Sequence, residues 1–357
     1  MATVFLHVGM PKTGTSSLQA FFSLNKMPLW NRGFAYPWSP KVETEEDLEI
    51  TSGNGEFLGR AEFTPTGPKP IIVENFEKPF NNMNTKRDII LSSEYFAGWG
   101  RDKYQWLMDR IAKLGYDVKF ICYLRDQGDM AVAHYFQEAK RNPNFDVREK
   151  TLPKFLEYYA NTSYCDFKSF LDMVESLFGS DAMIVRPFNR SMFPQGDVIF
   201  DFLSILGIPE ADWPTFRTEF KDMNITPQQR DLFFRLKMTN LKPNVAYSDA
   251  LLAGASELYA DDIRDHSENI LVDPALVENC RAKFADGNLA VSEKWFDGRD
   301  PDELFRPKDY KPLSEMKVDQ EDLYFWLLWT NTALIKAMKE QNRLIYKVRQ
   351  LEKKLNN

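Results

Sequence analysis

The sequence contains few of the residues that bind metals or form disulfides. Among its 357 residues are three cysteines and three histidines. The cysteines, Cys122, Cys165 and Cys280, lie far apart without metal-ligand spacing, and an odd, sparse count is typical of a reducing compartment. The histidines form no HExxH-type cluster. We therefore expect no structural metal and no metal cofactor.

Long apolar runs and an excess of basic side chains are also absent. No run approaches the roughly 18 residues that a membrane span needs, and the start, MATVFLHVG, lacks the regions of a signal peptide. The 45 basic and 52 acidic side chains give a net charge of −7, which disfavours a broad nucleic-acid surface. We expect a cytoplasmic chain without an integral membrane segment or a nucleic-acid partner. Any anion site must be a local pocket.

The sequence does contain abundant core material, with 43% hydrophobic and 14% aromatic residues. Short strand-like runs alternate with segments of helical spacing, which predicts a three-layer α/β domain with a mostly parallel central sheet. The predicted strands are Thr3–Val8, Arg87–Glu94, Asp117–Leu124 and Ala182–Arg186. The predicted helices cover residues 15–24, 102–114, 126–141, 153–178 and 196–206.

Residues 1–315 are expected to form one domain, interrupted by an irregular excursion at 28–80. Seven prolines break the periodicity of that excursion, so we expect short helices there and elements on the acceptor side of the site. Its aromatic side chains can stack on sugar rings or form a small loop core, and both interpretations stay open; they are Trp30, Tyr36 and Trp38. The end of the domain, from residue 210, is predicted to be helical with turns.

Residues 316–357 have one long helical pattern. Four apolar residues near its end are at the a/d spacing of a coiled coil: Leu344, Val348, Leu351 and Leu355. Because they cover less than two heptads, two alternatives stay open. The helix packs on its own domain, or it forms a short coiled coil that joins copies of the chain into a homo-oligomer.

The segment HVGMPKTGTSSLQ, His7 to Gln19, is the most informative part of the sequence. A glycine-containing turn between a buried strand and a helix N-terminus directs backbone N–H groups and the helix dipole at one point, which suits an anion. Lys12 adds a full positive charge, and Thr13, Thr15 and Ser16 add hydroxyls. A Walker A loop places its lysine directly after the second glycine, whereas Thr15 follows Gly14 here.

PKTGTSSLQ after an N-terminal strand resembles the 5′-phosphosulfate-binding loop of the sulfotransferase family. The resemblance implies a P-loop-type fold and PAPS (3′-phosphoadenosine 5′-phosphosulfate) as co-substrate. It also implies that the nucleotide is bound by a run of six residues: Pro11, Lys12, Thr13, Gly14, Thr15 and Ser16. Lys12 is in addition expected to be catalytic, because its ammonium group would hold the transferring group.

A second signature follows the third predicted strand. LRDQGDMAVAHY resembles the form LRxQxDxxxSxY of bacterial carbohydrate-type sulfotransferases, which places Arg125 at the 3′-phosphate. An alternative is that Arg125 only pairs with a carboxylate at the strand edge. The sequence departs from the pattern at Ala133, where the family has serine, so either His134 or another residue substitutes, or the affinity for the 3′-phosphate is lower.

A general base is needed to take the acceptor proton. Glu94, in SSEYF at the end of the second strand, is the first candidate, and His134 is the second. Glu94 could instead cap a helix or form an ion pair, and Ser92 and Ser93 could contact the ligand or only end the strand. His7 is interpreted as a core histidine.

The resemblance as a whole implies a PAPS-dependent sulfotransferase that acts on the hydroxyl of a carbohydrate or glycolipid. Two alternatives remain. One is a non-catalytic PAP-binding or scaffold protein of the same fold, in which PAP is the desulfonated product. The other is a P-loop kinase of small molecules, which requires ATP and Mg²⁺.

Overall fold

The chain divides into two compact units. The computed structural model describes residues 1–38, 52–141, 151–162, 164–218, 270–316 and 320–355. The first unit comprises Met1–Ala131, Glu157–Asn224 and Glu278–Lys308. The second comprises Val132–Leu156, Ile225–Val277 and Asp309–Asn357. The single domain predicted for residues 1–315 stays a prediction.

A five-stranded parallel sheet forms the centre of the first unit. Its strands are β1 (Ala2–His7), β2 (Phe34–Ala35), β5 (Asp88–Ser92), β6 (Tyr116–Leu124) and β7 (Met183–Pro187). They are arranged in the order β2-β5-β1-β6-β7, and every neighbouring pair is parallel. The inner strands carry apolar, often β-branched runs because both of their faces are covered. The prediction of an α/β fold with a mostly parallel sheet is confirmed.

The helices and a short hairpin fall between and after these strands. The hairpin consists of β3 (Phe63–Thr64) and β4 (Gly67–Pro68). Before β7 the helices are α1 (Thr15–Leu24), α2 (Lys26–Asn31), α3 (Glu56–Gly59), α4 (Pro70–Asn82), α5 (Arg101–Lys113), α6 (Gln127–Arg141), α7 (Leu152–Tyr159) and α8 (Phe167–Phe178). After it come α9 (Val198–Ile205), α10 (Pro274–Ala282), α11 (Ala285–Trp295), α12 (Pro301–Phe305) and α13 (Gln320–Leu355).

Helices cover both faces of the sheet. Successive residues of a strand point to opposite faces, and β6 shows both environments. Ile121 and Tyr123 belong to a buried cluster with side chains of α1 and α9. Phe120 contacts Tyr104 of α5 and Phe170 of α8, with ring centroids 5.9 and 6.1 Å away. The sheet is therefore the middle of three layers.

The register brings three strand ends to one edge of the sheet. His7, the last residue of β1, is level with Ser92 of β5 on one side and with Ile121 of β6 on the other. Ligands of parallel α/β sheets bind outside the carboxyl ends of the strands. The segments that follow β1, β5 and β6 are therefore the place to look for a site.

The helix predicted over residues 153–178 is wrong as a single element, because two helices, α7 and α8, occupy that range. A turn separates them, and the Asp166 side chain caps the second by accepting a hydrogen bond from the Ser169 N–H at 3.0 Å. An aspartate at a helix N-cap satisfies a backbone donor that has no partner within the helix. The apolar spacing continues across the turn, which explains the error.

The described parts of the excursion, residues 28–38 and 52–80, contain more regular structure than its prolines suggest. It contains β2, the β3–β4 hairpin and the 13-residue helix α4, which begins at Pro70. Trp38 stacks on Phe76 at 5.6 Å between ring centroids, and Tyr36 is buried, so both form core rather than a sugar platform. Trp30 lies under the Arg87 guanidinium, 4.0 Å from the ring centroid. The acidic run at residues 43–49 lies outside the described residues.

The second unit contains the long terminal helix. Helix α13 is 36 residues long and follows a segment that includes the hydrogen bond from the Val272 N–H to the Lys311 carbonyl oxygen at 2.8 Å. Within the described ranges, no helix is long and apolar enough to cross a membrane.

Candidate active site

The loop between β1 and α1 begins as an extension of the sheet. The N–H groups of Val8 and Met10 donate to the carbonyl oxygens of Ile121 and Tyr123 at 3.1 and 3.0 Å, and the Tyr123 N–H donates to Gly9 at 2.7 Å. The first residues of the loop are thus fixed by the central strand β6. Only the four residues between Met10 and α1 leave the sheet.

Left-handed backbone conformations turn those residues back toward the helix. Gly9 and Gly14 have φ of 98° and 75°, and Lys12 itself has φ of 65°. A left-handed conformation costs a non-glycine residue roughly 1–2 kcal/mol, so the structure around Lys12 must hold it there. Part of that support is the buried Thr13 hydroxyl, which donates to the Met10 carbonyl oxygen at 2.6 Å. The Thr13 side chain therefore stabilises the loop from within.

Gly14 is the N-cap residue of α1 and has no side chain to cap it. A Cβ at this position would lie 3.1 Å from both Phe188 and Val198, which is tighter than ordinary contact. The first N–H groups of any α-helix lack partners within the helix, and the helix dipole is positive there. This end of α1 therefore has the donors and the potential that an anion requires.

Arg125, directly after β6, contacts the same loop. Its Nη1 donates to the Lys12 carbonyl oxygen at 3.0 Å, and its guanidinium lies 6.0 Å from the ring centroid of Phe188. Its Nη2 is 3.9 Å from Asp129 Oδ2. The structure thus brings two of the predicted residues together although 113 positions separate them in the chain.

The N-terminus of α6 is completed by the protein itself. Asp126 Oδ1 accepts the Asp129 N–H at 2.8 Å and Arg281 Nε at 3.0 Å, and Arg281 Nη2 also donates to Asp129 Oδ1 at 3.1 Å. Burial and the nearby Asp129 charge raise the pKa of Asp126 to about 6, against the lowering effect of Arg281. Sequence reasoning missed Arg281, because a paired arginine 155 positions away leaves no local signal.

Glu94 follows β5 and begins a short 3₁₀ turn, Glu94–Gly98. Ser93 caps this turn by accepting the Tyr95 N–H at 3.3 Å, and the Thr15 hydroxyl donates to Glu94 Oε2 at 3.4 Å. Burial, together with the charge of Glu94, raises the pKa of both Tyr159 and Tyr164. Glu94 therefore lies beside the loop, and its charge acts on two tyrosine hydroxyls, which the sequence did not indicate.

His7 and Ser92 form a buried polar network behind the loop. His7 Nδ1 is 2.9 Å from Ser92 Oγ, which also accepts Gln19 Nε2 at 3.3 Å. Burial lowers the pKa of His7 to about 3. Asn54 supports the same strand end, because its Oδ1 accepts the Ser92 N–H at 2.8 Å and its Nδ2 donates to Ile90 at 2.8 Å. His7 and Ser92 thus hold the ends of β1 and β5 in place.

Ala133 and His134 lie on α6, in the second unit. The His134 ring has its edge against Phe155, at 5.9 Å between centroids, and Nε2 is 3.9 Å from Glu138 Oε1. Both residues are half-buried. Their roles as phosphate contact and alternative base stay predictions.

The fold and this geometry define a mixed α/β protein with a parallel sheet. At one edge of that sheet, a glycine-containing strand–loop–helix junction meets Arg125, which follows the neighbouring strand β6. In the part of the chain that the structure describes, no three His, Cys, Asp or Glu side chains are grouped so that they could hold a metal ion.

Comparisons with known proteins give no family assignment. No family model matches the chain. An uncharacterised protein of Archaeoglobus fulgidus is 36% identical over 95 residues, which is 26% of this chain and 24% of the relative, so the match spans about a quarter of that protein. A sulfotransferase from Alicyclobacillus acidocaldarius, a solved structure, overlaps 70% of this chain and 95% of its own at a TM-score of 0.38 and 19% identity. A likeness at that TM-score carries no argument about function.

Proposed function

We propose that this chain is a sulfotransferase that moves a sulfuryl group from PAPS to the hydroxyl of an acceptor, in a carbohydrate or glycolipid. The observation that carries the proposal is the 3.0 Å hydrogen bond from Arg125 Nη1 to the Lys12 carbonyl oxygen. It joins the two segments that resemble the 5′-phosphosulfate and 3′-phosphate motifs of PAPS-using enzymes. A nucleotide with anionic groups at both positions is the ligand that such a pair of motifs suits.

The loop residues would bind the 5′ end of the nucleotide. In this proposal the N–H groups at the start of α1 and the Lys12 ammonium hold the sulfonate and the bridging oxygen, where negative charge develops during transfer. The guanidinium of Arg125 can donate two parallel hydrogen bonds to the 3′-phosphate. Its contact with Lys12 sets the spacing between the two anion positions.

Glu94 would act as the general base. The acceptor oxygen attacks sulfur in line, a new O–S bond forms, the bond from sulfur to the bridging phosphate oxygen breaks, and the acceptor proton moves to Glu94. The Thr15 hydroxyl donates to Glu94 Oε2 and so orients this carboxylate beside the loop. The charge of Glu94, together with burial, raises the pKa of Tyr164, and in this proposal the Tyr164 hydroxyl is a further candidate donor to the acceptor.

The surroundings of Glu94 support a ring-shaped, hydroxylated acceptor. Tyr95 follows Glu94 directly, and the Arg60 guanidinium lies 4.8 Å from its ring centroid. Amphipathic aromatic rings offer an apolar face for stacking and a polar hydroxyl. This combination suits a sugar.

The proposal is tested by incubating the chain with sulfur-labelled PAPS and a panel of sugars and glycolipids. We expect label transfer to at least one acceptor, and Glu94→Gln should slow it by about 100-fold or more, the contribution of a general base, while PAP binding stays unchanged. The matched control is Glu175→Gln on α8, which makes the same change away from the loop and should transfer normally. Normal transfer by Glu94→Gln would exclude Glu94 as the general base and leave His134 as the second candidate.

Ala133 favours a second candidate function, a non-catalytic PAP-binding protein of the same fold. The missing serine hydroxyl removes one hydrogen bond, which is worth roughly 0.5–1.5 kcal/mol. We expect Ala133→Ser to increase the affinity for PAP by up to about tenfold, as measured by calorimetry. The candidate is supported if the chain binds PAP but neither it nor Ala133→Ser transfers label, and it is excluded if the unaltered chain turns over.

A further inference from the structure

Arg281, on α10, is held by several acceptors at once. Its Nε donates to Asp126 Oδ1 at 3.0 Å, and its Nη2 donates to Asp129 Oδ1 at 3.1 Å and to the Lys308 carbonyl oxygen at 3.0 Å. Its Nη1 donates to the Glu278 carboxylate. All of these residues belong to the first unit, and the Arg281 side chain is 16% exposed. The guanidinium is therefore fixed beside the N-terminus of α6.

Asp129 is close to two guanidinium groups, those of Arg281 and Arg125. The Asp129 side chain is 3% exposed, and Arg125 Nη2 lies 3.9 Å from its Oδ2, which is beyond hydrogen-bond distance. Arg281 Nη2 is closer, at 3.1 Å from Oδ1, and the Lys308 N–H donates to Oδ1 and Oδ2 at 3.4 and 3.3 Å. The buried carboxylate is thus bound mainly by Arg281.

Removal of Arg281 would leave this carboxylate without its main partner. A buried charge that has lost its partner is strongly destabilising. Arg125 Nη2 needs to move only about 1 Å to reach hydrogen-bond distance, and it would then pair with Asp129. A guanidinium in that pair has fewer donors for an external anion, and its charge is neutralised.

We propose that Arg281 is a positioning residue for Arg125: it binds Asp129 and so keeps the Arg125 guanidinium available for an anion. The inference rests on the proposed function, in which that anion is the 3′-phosphate of the nucleotide. Arg281 acts through Asp129 and does not contact the ligand. One guanidinium neutralises the buried carboxylate, and the other, whose Nη1 donates to the Lys12 carbonyl oxygen at 3.0 Å, binds the phosphate.

The test compares PAP with adenosine 5′-diphosphate, which lacks the 3′-phosphate, by calorimetric titration. Arg281→Met removes the charge and retains an unbranched side chain. It should lower the affinity for PAP by about tenfold or more, because the unpaired Asp129 carboxylate then competes for Arg125. The affinity for adenosine 5′-diphosphate should stay nearly unchanged. Equal weakening of both nucleotides would show that Arg281 has only a structural role and would overturn the proposal.

A second change tests whether Asp129 is the competing group. Arg281→Met combined with Asp129→Asn removes the competing charge and should restore the affinity for PAP. The matched control is Arg281→Met combined with Asp126→Asn, because Asp126 also pairs with Arg281 and asparagine can still cap α6. This control should recover little of the affinity. Equal recovery in the two double variants would indicate a general effect of net charge and would overturn the proposal.

Thermal unfolding shows which variants fold. If Arg281→Met alone does not fold, its combination with Asp129→Asn still tests the proposal. Binding of PAP as tight as in the unaltered chain would support it, whereas weaker binding of PAP with unchanged binding of adenosine 5′-diphosphate would overturn it. An unaltered chain that binds no PAP would contradict the proposed function and this inference together. Binding of PAP that Arg281→Met leaves intact would overturn the inference alone.

Discussion

The chain leaves β1 and β6 at the same edge of the sheet and enters a helix after each, but the two helix N-termini are completed differently. After β1 the N-cap is Gly14, which has no side chain, and the loop before it carries Lys12. After β6 the cap is Asp126, whose carboxylate accepts the Asp129 N–H at 2.8 Å and is bound by Arg281. The first terminus can therefore accept an external anion, whereas the second already holds an internal one.

This difference implies that an anion would be bound in different ways at the two junctions. At β1, backbone N–H groups and the helix dipole can contribute to binding, together with the ammonium of Lys12. At β6, any phosphate must be bound by the side chain of Arg125, because the helix end is neutralised by Asp126. Under the proposed function, two similar strand–helix junctions would therefore bind anions by different means, and each means can be removed separately.

The largest effect is expected from Lys12→Ala. Loss of a charge-assisted contact to the 5′-phosphate oxygen that bridges to sulfur in PAPS should lower the affinity for PAP by about 100-fold, since hydrogen bonds to charged groups contribute roughly 1.5–3 kcal/mol. The matched control is Lys119→Ala on β6, whose ammonium binds the Asp181 carbonyl oxygen at 2.7 Å. Calorimetric titration measures both. Equal losses in the two variants would show that the β1 junction has no special role.

The pH dependence of stability tests the packing beneath the β1 loop. Burial lowers the pKa of His7 from 6.5 to about 3, so the folded chain disfavours its protonated form. The neutral His7 makes its full contribution to the free energy of unfolding above about pH 6.5. This contribution is lost as the pH falls toward 3, and the loss reaches about 3 kcal/mol at roughly pH 4. The ring faces Ser92, Tyr123 and Phe202. In chemical denaturation, His7→Gln should lose less stability than the unaltered chain between pH 7 and 4; an identical loss would contradict the buried neutral histidine.

Arg125→Ala removes the side chain that would bind a phosphate at the β6 junction. It should weaken PAP binding by about 30-fold, within the range for one charge-assisted contact, and leave the binding of adenosine 5′-diphosphate, which lacks the 3′-phosphate, nearly unchanged. Arg186→Ala on β7 is the matched control, because Arg186 pairs with Asp201 at 3.7 Å instead of the loop. Equal weakening of both nucleotides by Arg125→Ala would indicate that this arginine only supports the loop through Lys12.

The internal cap of α6 gives the smallest effect. Asp126→Ala removes the cap and a partner of Arg281, and we expect it to lower the free energy of unfolding by about 2 kcal/mol. Asp166→Ala, at the N-cap of α8, measures a cap alone and should cost about 1 kcal/mol. Denaturant titration distinguishes the two. A loss at Asp126 no larger than that at Asp166 would mean that Arg281 adds nothing to this junction.

The structural features that the sequence predicted well depend on residues that are close together in the chain. The strand, loop and helix from β1 to α1 are defined by apolar spacing and by the order of Gly, Lys and Thr, all within about twenty residues. The placement of Lys12 and Arg125 at one site followed from two short motifs that resemble parts of one nucleotide site, whereas the hydrogen bond between them was not predicted. Both depend on short-range patterns or on topology.

The contacts that the sequence did not predict join residues that are far apart in the chain. Arg281 binds Asp126 across 155 positions, and Asn54 supports β5 from inside the proline-rich excursion. Neither residue has a spacing that distinguishes it from an ordinary surface or loop residue. The influence of Glu94 on two tyrosine hydroxyls was missed for the same reason, because Tyr159 and Tyr164 come from a segment about 65 positions away that we predicted to be a single helix.

A calorimetric titration of the unaltered chain with PAP in the presence of EDTA tests the proposed function without any acceptor. The proposed function predicts binding of one PAP per chain without any divalent metal, because Lys12, the start of α1 and Arg125 provide the positive charge. Absence of PAP binding, together with binding of ATP that depends on Mg²⁺, would contradict it and indicate a kinase.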